Sequence, residues 1–537
     1  MKLLSLALLL IAAPALADPG VWTADSSATA IAPITATQIA AFVPEARGPF
    51  TFPAPYNTTG IRVTQSSDCG NGNCVNYIGY NYWANMSNSA GSNIMYIMVG
   101  LSANKGGGGP NLYSLDKTTD AVTNLGPIFT DSNKYQTGET MYFSHTMPTA
   151  MYYVSGLKTL DRIDVLTKQV TPIFSIGQYN NGQYPYMYSC TTSANDDVSS
   201  CIAENSSYAR KACIVYTNST GEFVTFPEQT SYGVHQCAIT PDGKSVLMEE
   251  KTPSTCSRCD QDTVIGDVAT GTQTIVGNQI GGGGHSAPGY GYYIQNMNWD
   301  LTYDGAYLWN VDDLSEPAGY VFAQPWRNQC VGDPAICSSV PEHPTWLNAV
   351  PASVTPIAQQ YACDDSISSL NVPFANQVFC YNLDTSVPPA QLKSLIVAPV
   401  MTGDSNTGCG TLKYDNLPKG NIDPTGNYLI WSSNLETNTD CQVFIVKIPV
   451  SQLEPPPTPP PASVTVPSSF QAVSSVRKVV DTNGRQHIIM NSRLDPPPTP
   501  APASVTVPSS FRAVCSVRKV VDTNGREHVI TNCRRLP

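Results

Sequence analysis

Four hairpin-like stretches recur along this 537-residue chain at a spacing of roughly fifty residues, and a period of that size is a signature of repeat architectures such as propellers. The turns are Lys117-Thr118-Thr119-Asp120, Leu166-Thr167-Lys168, Asn218-Ser219-Thr220-Gly221 and Ala269-Thr270-Gly271, each between residues of strand propensity. A second signature agrees with the first: around Asp242-Gly243, Asp304-Gly305 and Thr425-Gly426 a tight turn is expected between two strands. Glycine suits the positive φ of such turns, and the apolar alternation that follows suits a strand packed on a neighbouring sheet.

From about residue 45 to 450 the chain reads as strand after strand, with Gly, Asn, Asp and Ser turns and no long amphipathic helix. The expected fold is all-β. About 400 residues divided by about fifty per unit predicts a seven-bladed β-propeller, with six and eight blades as neighbouring solutions. Residues 1–17 read as a signal peptide, with Lys2, an apolar run and Ala15-Leu16-Ala17 before Asp18; the run is shorter than the ~20 residues that span a bilayer. No later segment is long and apolar enough to span, so the expected location is extracellular or on the cell surface. Residues 18–47 read as an N-terminal arm and 48–450 as the propeller.

Beyond residue 450 a second rhythm begins. Pro-rich linkers at 451–461 and 495–502 precede two near-identical modules, 462–494 and 503–537, spaced by 41 residues from Phe470 to Phe511. Each carries Val-Arg-Lys-Val-Val-Asp-Thr-Asn-Gly-Arg, which reads as strand, Asn-Gly turn and return strand. Ser474 and Ser492 of the first module correspond to Cys515 and Cys533 of the second, so those two cysteines are expected to bond and staple one hairpin but not its sister. A module of about thirty residues is too small to bury a sufficient core, which favours packing between modules or pairing with other chains. From Pro455 onward ten Lys and Arg face four Asp and Glu, giving +6 and leaving −18 for the rest of a chain of net charge −12. A basic tail on an acidic body suits an anionic polysaccharide, an anionic surface or a second copy; export argues against nucleic acid.

The sixteen cysteines of an exported chain read first as disulfides. Local pairs are expected at Cys69 with Cys74 and Cys330 with Cys337, and a longer loop between Cys409 and Cys441. Cys256 and Cys259 have CxxC spacing, but a zinc or thioredoxin-like site needs a second CxxC or a βαβ setting, so a structural disulfide is the expectation.

The Asp-Gly turns, together with Trp431-Ser432-Ser433-Asn434 and Val443-Phe444-Ile445-Val446, resemble TolB-like and YVTN-type β-propellers, and within them the secreted propellers related to oligogalacturonate lyases. In that lyase branch histidines bind a metal or act in proton abstraction. The resemblance makes His285, in a Gly281-Gly282-Gly283-Gly284-His285 run, the first candidate ligand or base, His343 the second and His235 the third; together they would hold a divalent metal. No His-x-His pair of the kind expected in that family stands near His343. Tyr290 and Tyr292 beyond the glycine run, and Trp346 near His343, are candidate sugar-stacking rings.

No nucleophile elbow accompanies a serine, and Gly106 to Gly109 lacks the Lys-Ser/Thr of a phosphate-binding loop. Asp312-Asp313 and Asp364-Asp365 are adjacent pairs whose members point to opposite faces of a strand, and they read as solvated loops or cation ligands. The sequence therefore reads first as a non-catalytic extracellular binding or structural protein. On this reading the propeller presents a carbohydrate- or protein-binding face, and the tail mediates attachment or self-assembly into filaments or matrix. The alternative is a polysaccharide lyase acting by uronate β-elimination.

Overall fold

The computed structural model describes residues 18–453 except 26–30, 33, 71–73, 78, 131–139, 180–181, 230, 232, 252–260, 277–285, 298–303, 316, 325–342, 367–372, 403–417 and 438–440. Beyond residue 453 it describes the backbone of four strands. The chain divides into two units, 1–456 and 457–537.

The first unit is a seven-bladed β-propeller. Its first blade is built on Ile94–Leu101, Gly109–Asp116 and Val122–Pro127, with Val75–Tyr77 and Met86–Ser87 on the inner side. Blades two to five each use four consecutive strands, beginning at Tyr142–Phe143, Tyr186–Thr192, Val234–Ile239 and Ala287–Pro288. Blade six contains Tyr361–Asp365, Gln377–Asn382 and Lys393–Pro399, with Thr345 bridging to Cys363 on the inner side. Blade seven contains Asn421–Ile422, Tyr428–Ser433 and Gln442–Lys447.

The ring is closed by the beginning of the chain. Thr59–Arg62 pairs with Gln442–Lys447, Gly60 opposite Val446 and Ile61 opposite Ile445, and Gly48–Thr51 adds outside it. Val21–Ala24 pairs with Lys393–Pro399 as the outer strand of blade six, so part of the stretch expected to be an arm is built into the propeller. The side chain of Asp25 follows that strand inward and is fully buried, taking hydrogen bonds from the Ser394 hydroxyl at 2.9 Å and the Ala323 amide at 3.2 Å.

The fifty-residue rhythm has a local cause. At three of the four turns an aspartate at the end of the third strand caps the turn: Asp116 accepts from the amides of Thr118 and Thr119, Asp164 from Leu166 and Thr167, and Asp267 from Thr270. The turn then closes through a left-handed residue, Asp120, Lys168, Gly221 or Gly271. Asp242-Gly243 and Thr425-Gly426 sit in turns between first and second strands as expected, with Gly243 and Gly426 at positive φ. Asp304-Gly305 differs: it lies within the strand Asp304–Asn310, where the Phe322 carbonyl oxygen stands 2.0 Å from the point a Cβ would occupy. That glycine permits close strand pairing instead of a turn.

Disulfides reinforce the blades. Cys190–Cys201 and Cys363–Cys380 each join directly paired neighbours in one blade. Cys213–Cys237 ties the third strand of blade three to the first strand of blade four. Cys69 is bonded to Cys74, with Cα atoms 5.2 Å apart. Cys441 is disulfide-bonded to a partner outside the described residues. Cys330, Cys337, Cys409, Cys256 and Cys259 lie outside them too, as does the stretch read as a signal peptide. Among the described residues no helix is long and apolar enough to cross a membrane.

The second unit holds two antiparallel hairpins, Ser474–Val480 with Gln486–Ser492 and Ala513–Val521 with Glu527–Arg535. Their backbone registers set Ser474 opposite Ser492 and Cys515 opposite Cys533.

Candidate functional site

Innermost strands begin on one face of the propeller, here called the upper face, and the antiparallel second strands return to it. Residues just before an innermost strand therefore meet the last residues of second strands, however far apart they are in sequence. This geometry gathers His235, Glu249, Ser286, His343, Asp364, Asp365 and Lys419 on the upper face around the axis.

In blades four and five, Glu249 is fully buried on Ser245–Lys251 and accepts from the Ser286 amide at 2.8 Å and its hydroxyl at 2.6 Å. His235 turns Nδ1 toward the other carboxylate oxygen at 3.8 Å, with its side chain 30% exposed. Gln236 donates to the Ser286 carbonyl at 3.1 Å. These bonds hold the start of Ala287–Pro288 against the neighbouring blade.

In blades six, seven and one, the polar groups are sealed in. Asp364 accepts from the amides of His343 at 3.2 Å and Asp365 at 2.8 Å, and Asp365 accepts from the Gly420 amide. His343 packs edge-on against Tyr80, ring centroids 5.3 Å apart, and Lys419 places Nζ 5.9 Å from the same ring centre. Both residues are 3% exposed. Burial, and then the Lys419 charge, push the His343 imidazole down to about 3, so it is neutral across the physiological range. Asn81 donates to the Pro344 carbonyl, Thr345 to the Asn81 carbonyl, and Asn421 to the carbonyls of Tyr80 and Trp83, stitching three blades together at the axis.

The buried cation beside the His343 imidazole is Lys419, and the buried carboxylates of the same cluster are those of Asp364 and Asp365. Among the described residues no three His, Cys, Asp or Glu side chains are grouped closely enough to hold a metal ion. His285, first of the three candidate ligands, lies outside the described residues.

The candidate sugar-stacking rings separate in the same way. Tyr290 and Tyr292 are partly exposed. Trp346 is 1% exposed, and a Cβ on Gly289 would stand 2.1 Å from its ring, so this indole is core and presents no face to a sugar. Its edge reaches a small cavity at the lower end of the channel, lined also by Trp83, Tyr142, His145 and Thr192, with about 50 Å³ open to water. That space suits a few waters and is too small for a sugar ring. Asp364 and Asp365, expected in a solvated loop or as cation ligands, are 0% and 1% exposed on a strand, because blade seven covers them. Asp312 and Asp313 are exposed, as a solvated loop requires. Nothing in Pro418-Lys419-Gly420 announces a buried cation, and the neighbours of Lys419 in space are distant in sequence.

No protein-family model matches the sequence, and no curated protein is significantly similar to it. Solved structures do share its fold. An oligogalacturonate lyase in complex with manganese is 12% identical, covers 76% of this chain and 98% of its own, and superposes with a TM-score of 0.50. An oligogalacturonate lyase from Vibrio parahaemolyticus gives the same four values. The β-propeller domain of the Trilobed protease from Pyrococcus furiosus, with 6% identity and a TM-score of 0.39, covers 68% of this chain and 95% of its own. Identities this low speak to fold alone.

Proposed function

We propose that this chain is a non-catalytic extracellular binding protein. Its propeller is a rigid display scaffold, and its basic, Pro-spaced hairpins attach it to anionic surface material or to other copies. The observation that carries the proposal is the burial of His343 and Lys419 at 3% exposure each. Glu249, His343, Asp364, Asp365 and Lys419, axial groups suited to acid–base or charge-stabilising work, are enclosed by neighbouring blades, where they tie the ring together, while His235 is 30% exposed. Intrachain disulfides and the leader-like N-terminal sequence support an oxidising destination. The alignment of Cys515 with Cys533 supports a stapled second hairpin. The test compares full-length protein with a variant ending before Pro455, each mixed with cell-surface material and sedimented. Loss of co-sedimentation on deletion is expected, and equal sedimentation of both overturns the attachment role.

A second reading, a polysaccharide lyase, is favoured by one observation: His235 faces solvent at 30% exposure with the Glu249 carboxylate 3.8 Å behind it, an arrangement that suits a general base. Release of unsaturated uronides from polygalacturonate, abolished by His235→Gln, would establish this reading in place of the first.

A further inference from the structure

The upper face of blades two to four carries a ladder of aromatic rings and cations that the central cluster does not use. Tyr186, at the start of the inner strand of blade three, stacks on Tyr208 with ring centroids 4.6 Å apart and planes 14° from parallel. Tyr208 is 57% exposed. Lys158, from the hairpin of blade two that binds the Met187 amide through the Leu157 carbonyl, holds Nζ 5.8 Å from the centre of the Tyr186 ring. On the other side the Arg210 guanidinium lies 4.6 Å over Tyr188. Arg210 reaches Glu204 only loosely, Nε to Oε1 at 3.7 Å, and among the described residues nothing accepts a hydrogen bond from its terminal nitrogens. Beside this ladder opens a cleft between blades three and four, lined by Tyr208, Arg210, Lys211, Ser231 and Gly233.

The backbone is arranged to present the ladder. Tyr208 sits at φ +61° and Ser231 at φ +65°, left-handed conformations that non-glycine residues adopt at a cost. The Tyr208 loop is held there by Asn205, whose side-chain oxygen accepts from the amides of Ser207 and Ala209 at 2.9 Å each. Gly233 lets the Arg210 strand come close: a Cβ there would stand 3.2 Å from the Arg210 carbonyl oxygen.

We infer that this ladder and cleft form a binding site for an acidic sugar chain, one pyranose face resting on Tyr208 and its carboxylate or sulfate held by Arg210, with Lys158 or Lys211 taking the next acidic group. Flat apolar rings match the C–H face of a pyranose. The planar guanidinium matches a carboxylate or sulfate with two parallel N–H donors. Lys211 is paired with Glu228 at 2.5 Å, so Arg210 carries most of the anion recognition. This inference rests on the proposed role of the propeller as a binding face and assigns that role a place and a ligand class.

The experiment is isothermal titration of full-length protein with three tetrasaccharides: a uronate, a sulfated and a neutral one. It is repeated on Arg210→Gln and on Tyr208→Asn, the latter because asparagine tolerates the left-handed backbone. The basic tail is common to all proteins, so the difference between parent and variants reads the propeller. Expected are binding of an acidic tetrasaccharide, the uronate or the sulfated arm telling which, no binding of the neutral one, and a loss of about tenfold or more in either variant. Equal affinity of variants and parent overturns the site while leaving the binding role intact. Equal affinity for the neutral sugar overturns the anion recognition, and absence of heat with both acidic sugars overturns the ligand class. The attachment role of the tail is tested separately by sedimentation.

Discussion

Replacing Asp25 by asparagine should change how the stability of the propeller depends on pH, more than it changes stability at any one pH. Burial pushes the Asp25 carboxyl up to about 7 from 3.8, against the opposing pull of the Ala323 amide and the Ser394 hydroxyl. Between those values the folded protein holds a proton that the unfolded chain has released. Each pH unit in that window therefore removes about 1.4 kcal/mol of stability, or ~4 kcal/mol in all as pH rises through about 7. The substituted amide cannot titrate. It gives up one acceptor at the buried site, an offset of about 1 kcal/mol that is the same at every pH. The stability of Asp25→Asn relative to the parent should thus climb by ~4 kcal/mol between pH 4 and pH 8. Urea unfolding followed by tryptophan fluorescence, with disulfides intact and at half-unit pH intervals, measures this difference directly. Parallel curves for the two proteins over that range would refute the reasoning, because they would mean that Asp25 ionises inside the fold as easily as outside it.

Three further outcomes follow from the same physics. His343 is held down to about 3, so between there and 6.5 the unfolded chain binds a proton that the folded one refuses; stability should fall by about 1.4 kcal/mol per unit as pH drops through this window, and His343→Gln should remove that part of the acid sensitivity in urea titrations. The double substitution Cys213→Ser, Cys237→Ser opens a cross-blade loop with a sequence separation of 24; thermal or urea unfolding should show a loss of about 3 kcal/mol, and an unchanged midpoint would mean that the blades are held in register without it. Gly289→Ala drives a methyl into the Trp346 ring, which should cost about 1–3 kcal/mol and perturb near-ultraviolet circular dichroism, whereas a variant with parental stability and spectrum would show that the ring has room to move.

What the sequence disclosed is local, and what it concealed is long-range. Asp116, Asp164 and Asp267 cap turns within three residues of themselves, so the blade period can be read from composition along the chain. The closing strands and the axial cluster cannot. His343 and Lys419 are neighbours because blades six and seven are adjacent, and no periodicity reports that. Trp346 reads as a binding ring because it follows a histidine and a proline; only the ring's packing over Gly289 shows that it is core. Cys213 and Cys237 carry no spacing signal, since their bond joins successive blades and not one turn. The Arg210 ladder is hidden for a similar reason: Tyr186 meets the Lys158 cation and the Tyr208 ring from separate loops.

The pairing of Gly60 with Val446 and Ile61 with Ile445 sets an order of events for the growing chain. The strand at Thr59–Arg62 is made early, yet its partner emerges only after almost all of the propeller has been synthesised. Until then an exposed strand edge must wait, and the loop that finally closes is nearly the whole domain, an entropic cost that rises only slowly with length but a search that long-range contacts make slow. A chain that passes an export channel before it folds would never need to hold the ring half closed. Completion of the ring is thus coupled to completion of the chain, and a copy truncated just before residue 442 would lack the partner strand that locks Thr59–Arg62 in place.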